Sequence, residues 1–150
     1  MSDATHDEVL VLGGGPGGYA AALYGAAAGR SVTLIEESRV GGTCLHRGCI
    51  PAKELLQTAE VLRTVRGAQA FGVGVGAAPT VDLAVSVARK QQVVDRLTKG
   101  LEQLLAGRSV TVVPGRGEVV DAAARTVRVG DATYSGDALI LSTEIGRAHV

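Results

Sequence analysis

Apolar and polar positions follow three different patterns along the chain. Residues 8–12 (EVLVL) and 31–36 (SVTLIE) are short, nearly continuous apolar runs rich in Val, Leu and Ile, as expected of strands buried on both faces. Between them, GGGPGG forms a turn and YAAALYGAAAG joins strong helix formers to very small side chains, which predicts a helix. Strand, glycine turn, helix and strand within about 30 residues make one βαβ unit, the building block of a parallel sheet. Further on, Pro51 suits the first turn of a helix, and AKELLQTAEVLRTVRGA carries apolar residues at three-to-four spacing. FGVGVGAAPT predicts a loop. From residue 82 to about residue 106 the period is helical again, with Leu83, Val87, Val94, Leu97, Leu101 and Leu104 as its stripe. SVTVVPG reads as a strand, GEVVDAAARTVRVGDATYSG alternates and turns like a small antiparallel meander, and DALILST predicts a final buried strand. The expected fold is α/β, a Rossmann-like domain with a parallel sheet and a small antiparallel β-meander. The pattern contains neither an internal repeat nor an interdomain linker.

Composition narrows the function classes. At 150 residues the chain has the size of one domain with a sizeable core. Fifteen basic and fifteen acidic residues cancel, which argues against a nucleic-acid or anionic-membrane partner. One Phe, three Tyr and no Trp leave little material for base stacking. The 21 glycines cluster at 13–18, 41–48 and 72–76, as loops that let backbone approach a neighbour would require. The start, MSDATHDEVL, is polar and acidic, unlike a secretory signal, and no apolar run reaches membrane-spanning length. A cytoplasmic location is expected, where a close cysteine pair is more often catalytic or metal-binding than a structural disulfide.

Gly13, Gly15 and Gly18 form G-x-G-x-x-G directly after a strand and at the opening of a helix, with Pro16 inside the motif. Gly13 permits a tight turn, Gly15 lets backbone approach a pyrophosphate, and Gly18 permits close helix–strand packing. Ala22 and Gly29 are small where the helix should lie close to the sheet. The helix start offers free N–H groups and a positive dipole end to phosphates. Glu36, 23 residues after Gly13, ends the second strand, where a carboxylate can accept hydrogen bonds from a ribose diol. Glu37 follows it. The motif specifies a dinucleotide and does not choose between FAD and NAD.

Both cysteines, Cys44 and Cys49, lie in TCLHRGCIPAK. A redox pair, a metal site and two inert core thiols are the alternatives. In a regular helix five steps rise about 7.5 Å, more than the roughly 4.4–6.8 Å that separates bridged Cα atoms. The two can bridge only if the segment is not one regular helix, and Gly41, Gly42 and Gly48 allow that irregularity. Pro51 places Cys49 near a helix start, where the dipole favours a thiolate, and Lys53 adds positive charge. A metal would enlist Cys44, His46 and Cys49, one ligand short of a closed site, since His6 and His149 stand at the chain's extremes. Inert core thiols would have apolar neighbours, whereas Gly, Arg and Lys surround this pair.

GGTCLHRGCIPAKELL resembles the redox-active segment of the flavoprotein disulfide oxidoreductases, and within that family the dihydrolipoamide dehydrogenases. The resemblance covers residues 8–143. VTVVPGRGEVV resembles the strand and turn that touch the FAD adenine, with Gly117 at the contact, and ALILST resembles the strand entering a flavin-binding turn at Thr143. His46 stands where Asn is common, and Ala52 where Ser or Thr is common. The resemblance implies FAD held by Gly13, Gly15, Pro16, Gly18, Glu36, Glu37, Gly42, Thr43, Gly117 and Thr143, next to a reversible Cys44–Cys49 disulfide. Cys44 would exchange with the substrate, Cys49 would pass electrons to the flavin as a charge-transfer thiolate, and Lys53 would lie near the flavin. No metal is implied. The reaction would be dihydrolipoamide + NAD⁺ → lipoamide + NADH, on a small dithiol or a lipoyl domain. Mercuric, glutathione and mycothiol-disulfide reductases, or a non-redox dinucleotide-binding module, are the alternatives.

The family also has an NAD-binding domain and a C-terminal dimerisation domain that supplies a His–Glu pair to the partner in a homodimer. On that basis residues 1–143 are expected to be an incomplete FAD domain, inactive alone. Residues 144–150 (EIGRAHV) replace the glycine expected after Thr143. They can be encoded by GAGATCGGAAGAGCACACGTC, which reads as the start of a widely used short-read sequencing adapter joined after a single G, the first base of any glycine codon. This tail is expected to be non-native, and chemistry at Glu144, Arg147 or His149 is set aside.

Overall fold

A computed structural model describes residues 5–143; the tail beyond Thr143, and with it the expectation about its origin, lies outside the described residues. One six-stranded sheet organises the molecule. Its strands are β1 (Thr5–Leu12), β2 (Val32–Glu36), β3 (Thr111–Pro114), β4 (Gly117–Asp121), β5 (Thr126–Val129) and β6 (Ala132–Leu141). Their spatial order is β3-β2-β1-β6-β5-β4. β1 pairs in parallel with both β2 and β6, and β2 with β3. β4, β5 and the first half of β6 are antiparallel.

The α/β fold and the meander are as the pattern predicts, with one topological difference. The third meander strand and the final strand are a single element, β6. Its residues 132–135 pair with β5, and 134–141 with β1. Gly136, in the middle, has no room for a Cβ, which would meet the Ala138 carbonyl at 2.9 Å and Leu10 Cβ at 3.1 Å. The expected burial of this last strand is absent at its end: Leu141 is 63% exposed. β1 also begins earlier than its apolar run, because Thr5 and His6 are held by Tyr134 and Ser135 across the sheet. A pairing partner more than a hundred residues away leaves no local trace.

The described residues also form four α-helices, α1 (Pro16–Ala27), α2 (Gly42–His46), α3 (Cys49–Gly67) and α4 (Leu83–Gly107), with a 3₁₀ turn at Ala68–Phe71. α1 lies on the sheet through Gly18, Ala22 and Gly25; a Cβ on Gly25 would stand 3.2 Å from Val32 Cγ2. Gly29 does not share that role. It has open space around it and a φ of +80°, so it turns the chain out of the helix. The glycines at 72–76 likewise meet no neighbour. Asp82 caps α4, its Oδ1 accepting from Val85 N–H at 3.1 Å.

The core has two parts. Val11, Ala22, Val32, Leu34, Val40, Leu105 and Val110 fill one, and Leu10, Leu12, Ile35 and Val127 fill the other on the meander side. The face that α4 turns to the core overlaps its apolar stripe only at Val94 and Leu101. Ser86, Val94, Thr98 and Leu105 are buried, whereas Leu83, Val87, Leu97 and Leu104 are exposed. Thr98 satisfies its hydroxyl by donating to the Val94 carbonyl at 2.8 Å, so a polar residue can occupy the buried face.

Candidate functional site

The carboxyl ends of β1, β2, β3 and β6 converge on one cleft of about 760 Å³. Short backbone bonds fix its floor. Gly13 N–H donates to the Ile35 carbonyl at 2.9 Å, Ser142 N–H to Leu12 at 2.8 Å, and Gly115 N–H to Glu36 at 2.9 Å. This is the position at which an open α/β sheet binds its ligand, beyond the strand ends where connections diverge.

The glycine turn is built as its spacing requires. Gly13 has a φ of +102°, and a Cβ there would strike the Ser142 carbonyl and lie 2.8 Å from Thr143 N. A Cβ on Gly18 would collide with the Gly13 carbonyl oxygen, so the first and third glycines pack directly on each other. Gly15 is the N-cap of α1 with Pro16 behind it, so the first turn of the helix meets the cleft with backbone alone. Glu36 is locked in place: its Oε2 accepts from Gly14 N–H at 2.7 Å and its Oε1 from Ser38 N–H at 2.8 Å. Each oxygen retains a second lone pair, and the residue lines the cleft. On the far wall a Cβ on Gly117 would meet Leu12, Val127 and Ile35, so only backbone fits there.

The cysteine segment is physically joined to this turn. Gly41 N–H donates to the Gly14 carbonyl at 2.7 Å, and Gly41 adopts a φ of +106° that turns the chain into α2. α2 ends at His46 with Arg47 as its C-cap, Gly48 breaks the helical course at φ −124° and ψ −99°, and α3 starts at Cys49. The break brings the Cα atoms of Cys44 and Cys49 to 4.6 Å, and the two form a disulfide. His46 folds back, its Nε2–H donating to the Val40 carbonyl at 2.9 Å. Among the described residues no group of three or more His, Cys, Asp or Glu is placed so that it could hold a metal ion.

Gly13, Gly15, Glu36, Glu37, Gly42, Thr43, Gly117 and Thr143 line the cleft together. Pro16, Gly18, Cys44, Cys49 and Lys53 are not lining residues; Gly18 is buried against Gly13 and Pro16 is exposed. Cys44 sits half-buried in the one-turn helix α2, while Cys49 and Lys53 are exposed. The structure adds Arg39, Arg47, Gln91, Arg116 and Ser142 to the walls. Arg47 and Arg116 lie inside motifs already recognised, between the cysteines and between Gly115 and Gly117. Gln91 comes from α4, and only the tertiary fold brings it in.

The glycine turn, the oriented Glu36 carboxylate and the disulfide-bearing bend are thus joined along one cleft. Residues 7–146 match the family model described as pyridine nucleotide-disulphide oxidoreductase, and the chain belongs to that family. It is 48% identical over 125 residues to dihydrolipoyl dehydrogenase 2 of Haloarcula marismortui, covering 83% of this chain and 26% of that protein. It is 44% identical over 117 residues to a dihydrolipoyl dehydrogenase of Bacillus subtilis, covering 78% and 24%. The chain therefore spans about a quarter of the length of these relatives. The crystal structure of LpdA from Mycobacterium tuberculosis superposes with a TM-score of 0.83 over 98% of this chain and 33% of its own, at 24% identity, which shows the fold. The HOCl-induced flavoprotein disulfide reductase RclA from Escherichia coli, solved as a Cu(II) complex, gives 0.75 over 93% and 29% at 27% identity. No helix among the described residues is long and apolar enough to cross a membrane.

Proposed function

We propose that this chain is the FAD-binding, disulfide-bearing domain of a dihydrolipoamide dehydrogenase. One observation carries the reading: the Cys44–Cys49 disulfide follows directly from Gly42 and Thr43, which wall the same cleft that the glycine turn opens. The cleft suits FAD because its turn is bare backbone and its acid is already oriented. Gly13, Gly15 and the start of α1 would hold the pyrophosphate, Glu36 the ribose and Gly117 the adenine edge. When bound, the flavin supplies two-electron transfer between the disulfide and a nicotinamide nucleotide.

The chain's own residues do the sulfur chemistry. A dihydrolipoamide thiolate attacks Cys44 Sγ, the Cys44–Cys49 bond breaks, and Cys49 leaves as a thiolate at the first residue of α3. The second substrate thiolate displaces Cys44, so lipoamide departs and both cysteines are reduced. The helix start stabilises the Cys49 thiolate, which makes it the better leaving group. The cysteines would return to the disulfide when their electron pair is passed on, with NAD⁺ as the final acceptor reduced to NADH. The NAD site, the acid–base pair and a homodimer are assigned to chain beyond residues 1–143, and the cytoplasm is the assigned compartment.

The test uses the full-length protein. Released cofactor should be FAD by mass spectrometry; NAD without flavin would overturn the reading. Cys44→Ser should keep a long-wavelength charge-transfer band from Cys49, and Cys49→Ser should abolish it, with lipoamide turnover lost in both. The reverse pattern of bands would exchange the two roles. Lipoamide should be reduced far faster than glutathione disulfide, mycothiol disulfide or Hg²⁺, and the opposite ranking would reassign the substrate.

A further inference from the structure

α3 starts at Cys49, yet none of its 19 residues is fully buried, and Leu55, Leu56 and Val61 are exposed. Two ties act on its first turns. One is the disulfide. The other is an ion pair between Glu54, five residues past Cys49, and Arg89 of α4, with Arg89 Nε 3.3 Å from Glu54 Oε2. Oε2 is sealed from solvent and has no aligned hydrogen bond, so Arg89 alone compensates its charge. Among the described residues this is the one ion pair that joins α3 to α4. α4 is firmly seated, with Val94, Thr98 and Leu105 buried, and it carries Gln91 and Val94 to the cleft wall.

We propose that Glu54 is a positioning residue for Cys49: through Arg89 it keeps the start of α3 in place while the Cys44–Cys49 bond is open. The inference rests on the reading that this disulfide opens and closes in turnover. With the bond open, Gly48 is a hinge without a side chain, and its backbone sits outside both helices. Cys49 and Glu54 belong to one rigid helix, so holding Glu54 holds Cys49. A thiol held near its partner closes the disulfide at a lower entropic cost than a free one.

A local charge effect predicts a different outcome. A negative charge near Cys49 disfavours its thiolate and a positive one favours it. Removing Glu54 and removing Arg89 would then shift the dithiol–disulfide equilibrium in opposite directions. A clamp predicts the same direction for both, toward the dithiol.

The experiment equilibrates the full chain anaerobically with graded ratios of reduced to oxidised dithiothreitol. The protein S–S bond breaks, its two sulfurs gain the protons of the reagent's two thiols, and the reagent closes to its cyclic disulfide. Alkylation followed by peptide mass spectrometry then measures Cys44 and Cys49 directly, without flavin or lipoamide, so failure here is distinct from failure of the functional reading. Glu54→Gln and Arg89→Gln should each favour the dithiol by about threefold, the scale of a partly exposed ion pair, or about 14 mV. The doubly swapped Glu54→Arg, Arg89→Glu chain should recover most of that shift, and Arg96→Gln, elsewhere on α4, should match the wild type. Should Glu54→Gln fail to fold, the largely exposed Arg89 carries the test alone, with Arg96→Gln as its control. Opposite shifts in the two single variants, no shift in Arg89→Gln, or an equal shift in Arg96→Gln would overturn the proposal.

Discussion

The glycine turn and the cysteine bend meet at Gly14 and Gly41, but they are built in opposite ways. Around the turn, backbone is in contact with backbone, and Leu10, Val11, Leu34 and Ile35 beneath it are fully buried. Around the bend, α2 buries only Leu45 and α3 buries nothing completely. A cofactor cradle has to keep its shape with the ligand bound, so it is over-determined by packing. A disulfide that exchanges has to let sulfurs separate and return, so its helices are held by a few removable ties. The disulfide thus sits on the lightly packed side of the contact and the glycine turn on the densely packed side.

Single glycines should separate the two regions most strongly. Gly13→Ala combines a φ of +102° with a clash on the Ser142 carbonyl and should cost about 4 kcal/mol of stability along with cofactor affinity. Gly67→Ala, at the end of α3 with ordinary dihedrals and open space, should instead stabilise by about 0.5 kcal/mol. Urea denaturation read by circular dichroism measures both; equal losses would erase the contrast.

Leucines give the next largest difference. Leu34→Ala empties a fully buried position and should cost about 3 kcal/mol. Leu56→Ala, at a side chain 64% exposed, should stay within about 0.5 kcal/mol of the wild type. A large loss at Leu56 would mean that α3 is held by more than its visible contacts.

Reduction of the disulfide comes third. Its loop is short, with a sequence separation of 5, so opening it should lower stability by about 2 kcal/mol. Hydrogen exchange locates the effect. Amides in α3 should accelerate more after reduction than those of Leu10, Leu34 and Ile35, which open only with the whole fold. Equal acceleration in both regions would show that the bend supports the cradle.

The smallest effect concerns acid. Glu8 ties β1 to the start of β2: its Oε1 accepts from Arg30 Nη1 at 2.6 Å and its Oε2 from Ser31 N–H at 2.8 Å. The Arg30 hydrogen bond, followed by that of Ser31, lowers its carboxyl pKa in the folded chain. A lowered folded pKa adds stability that is fully present above the unfolded value and fades as pH falls through the folded one. Glu8→Gln should therefore trail the wild type slightly near neutrality and converge with it in acid. Because the pair is exposed, salt should shrink the gap; a gap that widens in acid would reverse the sign.

The sequence by itself determined what local chemistry can encode. Bare glycines at 13, 15 and 18 fit a turn in which side chains have no room, and Glu36 at the end of the next strand completes that signal within one βαβ unit. The break at Gly48 was legible once the family resemblance implied a Cys44–Cys49 disulfide, because a regular helix holds residues five apart too distant to bridge. Tertiary structure decided everything that depended on a partner far along the chain. It joined the meander to the last parallel strand as β6, extended β1 to meet it, and turned α4 so that Thr98 is buried while Leu97 faces out. It brought Gln91 and Arg116 into one cleft wall, and Arg89 onto Glu54. Helical or strand periodicity states that a face will be covered, but packing against distant elements selects which face, and no window of neighbouring residues contains that information.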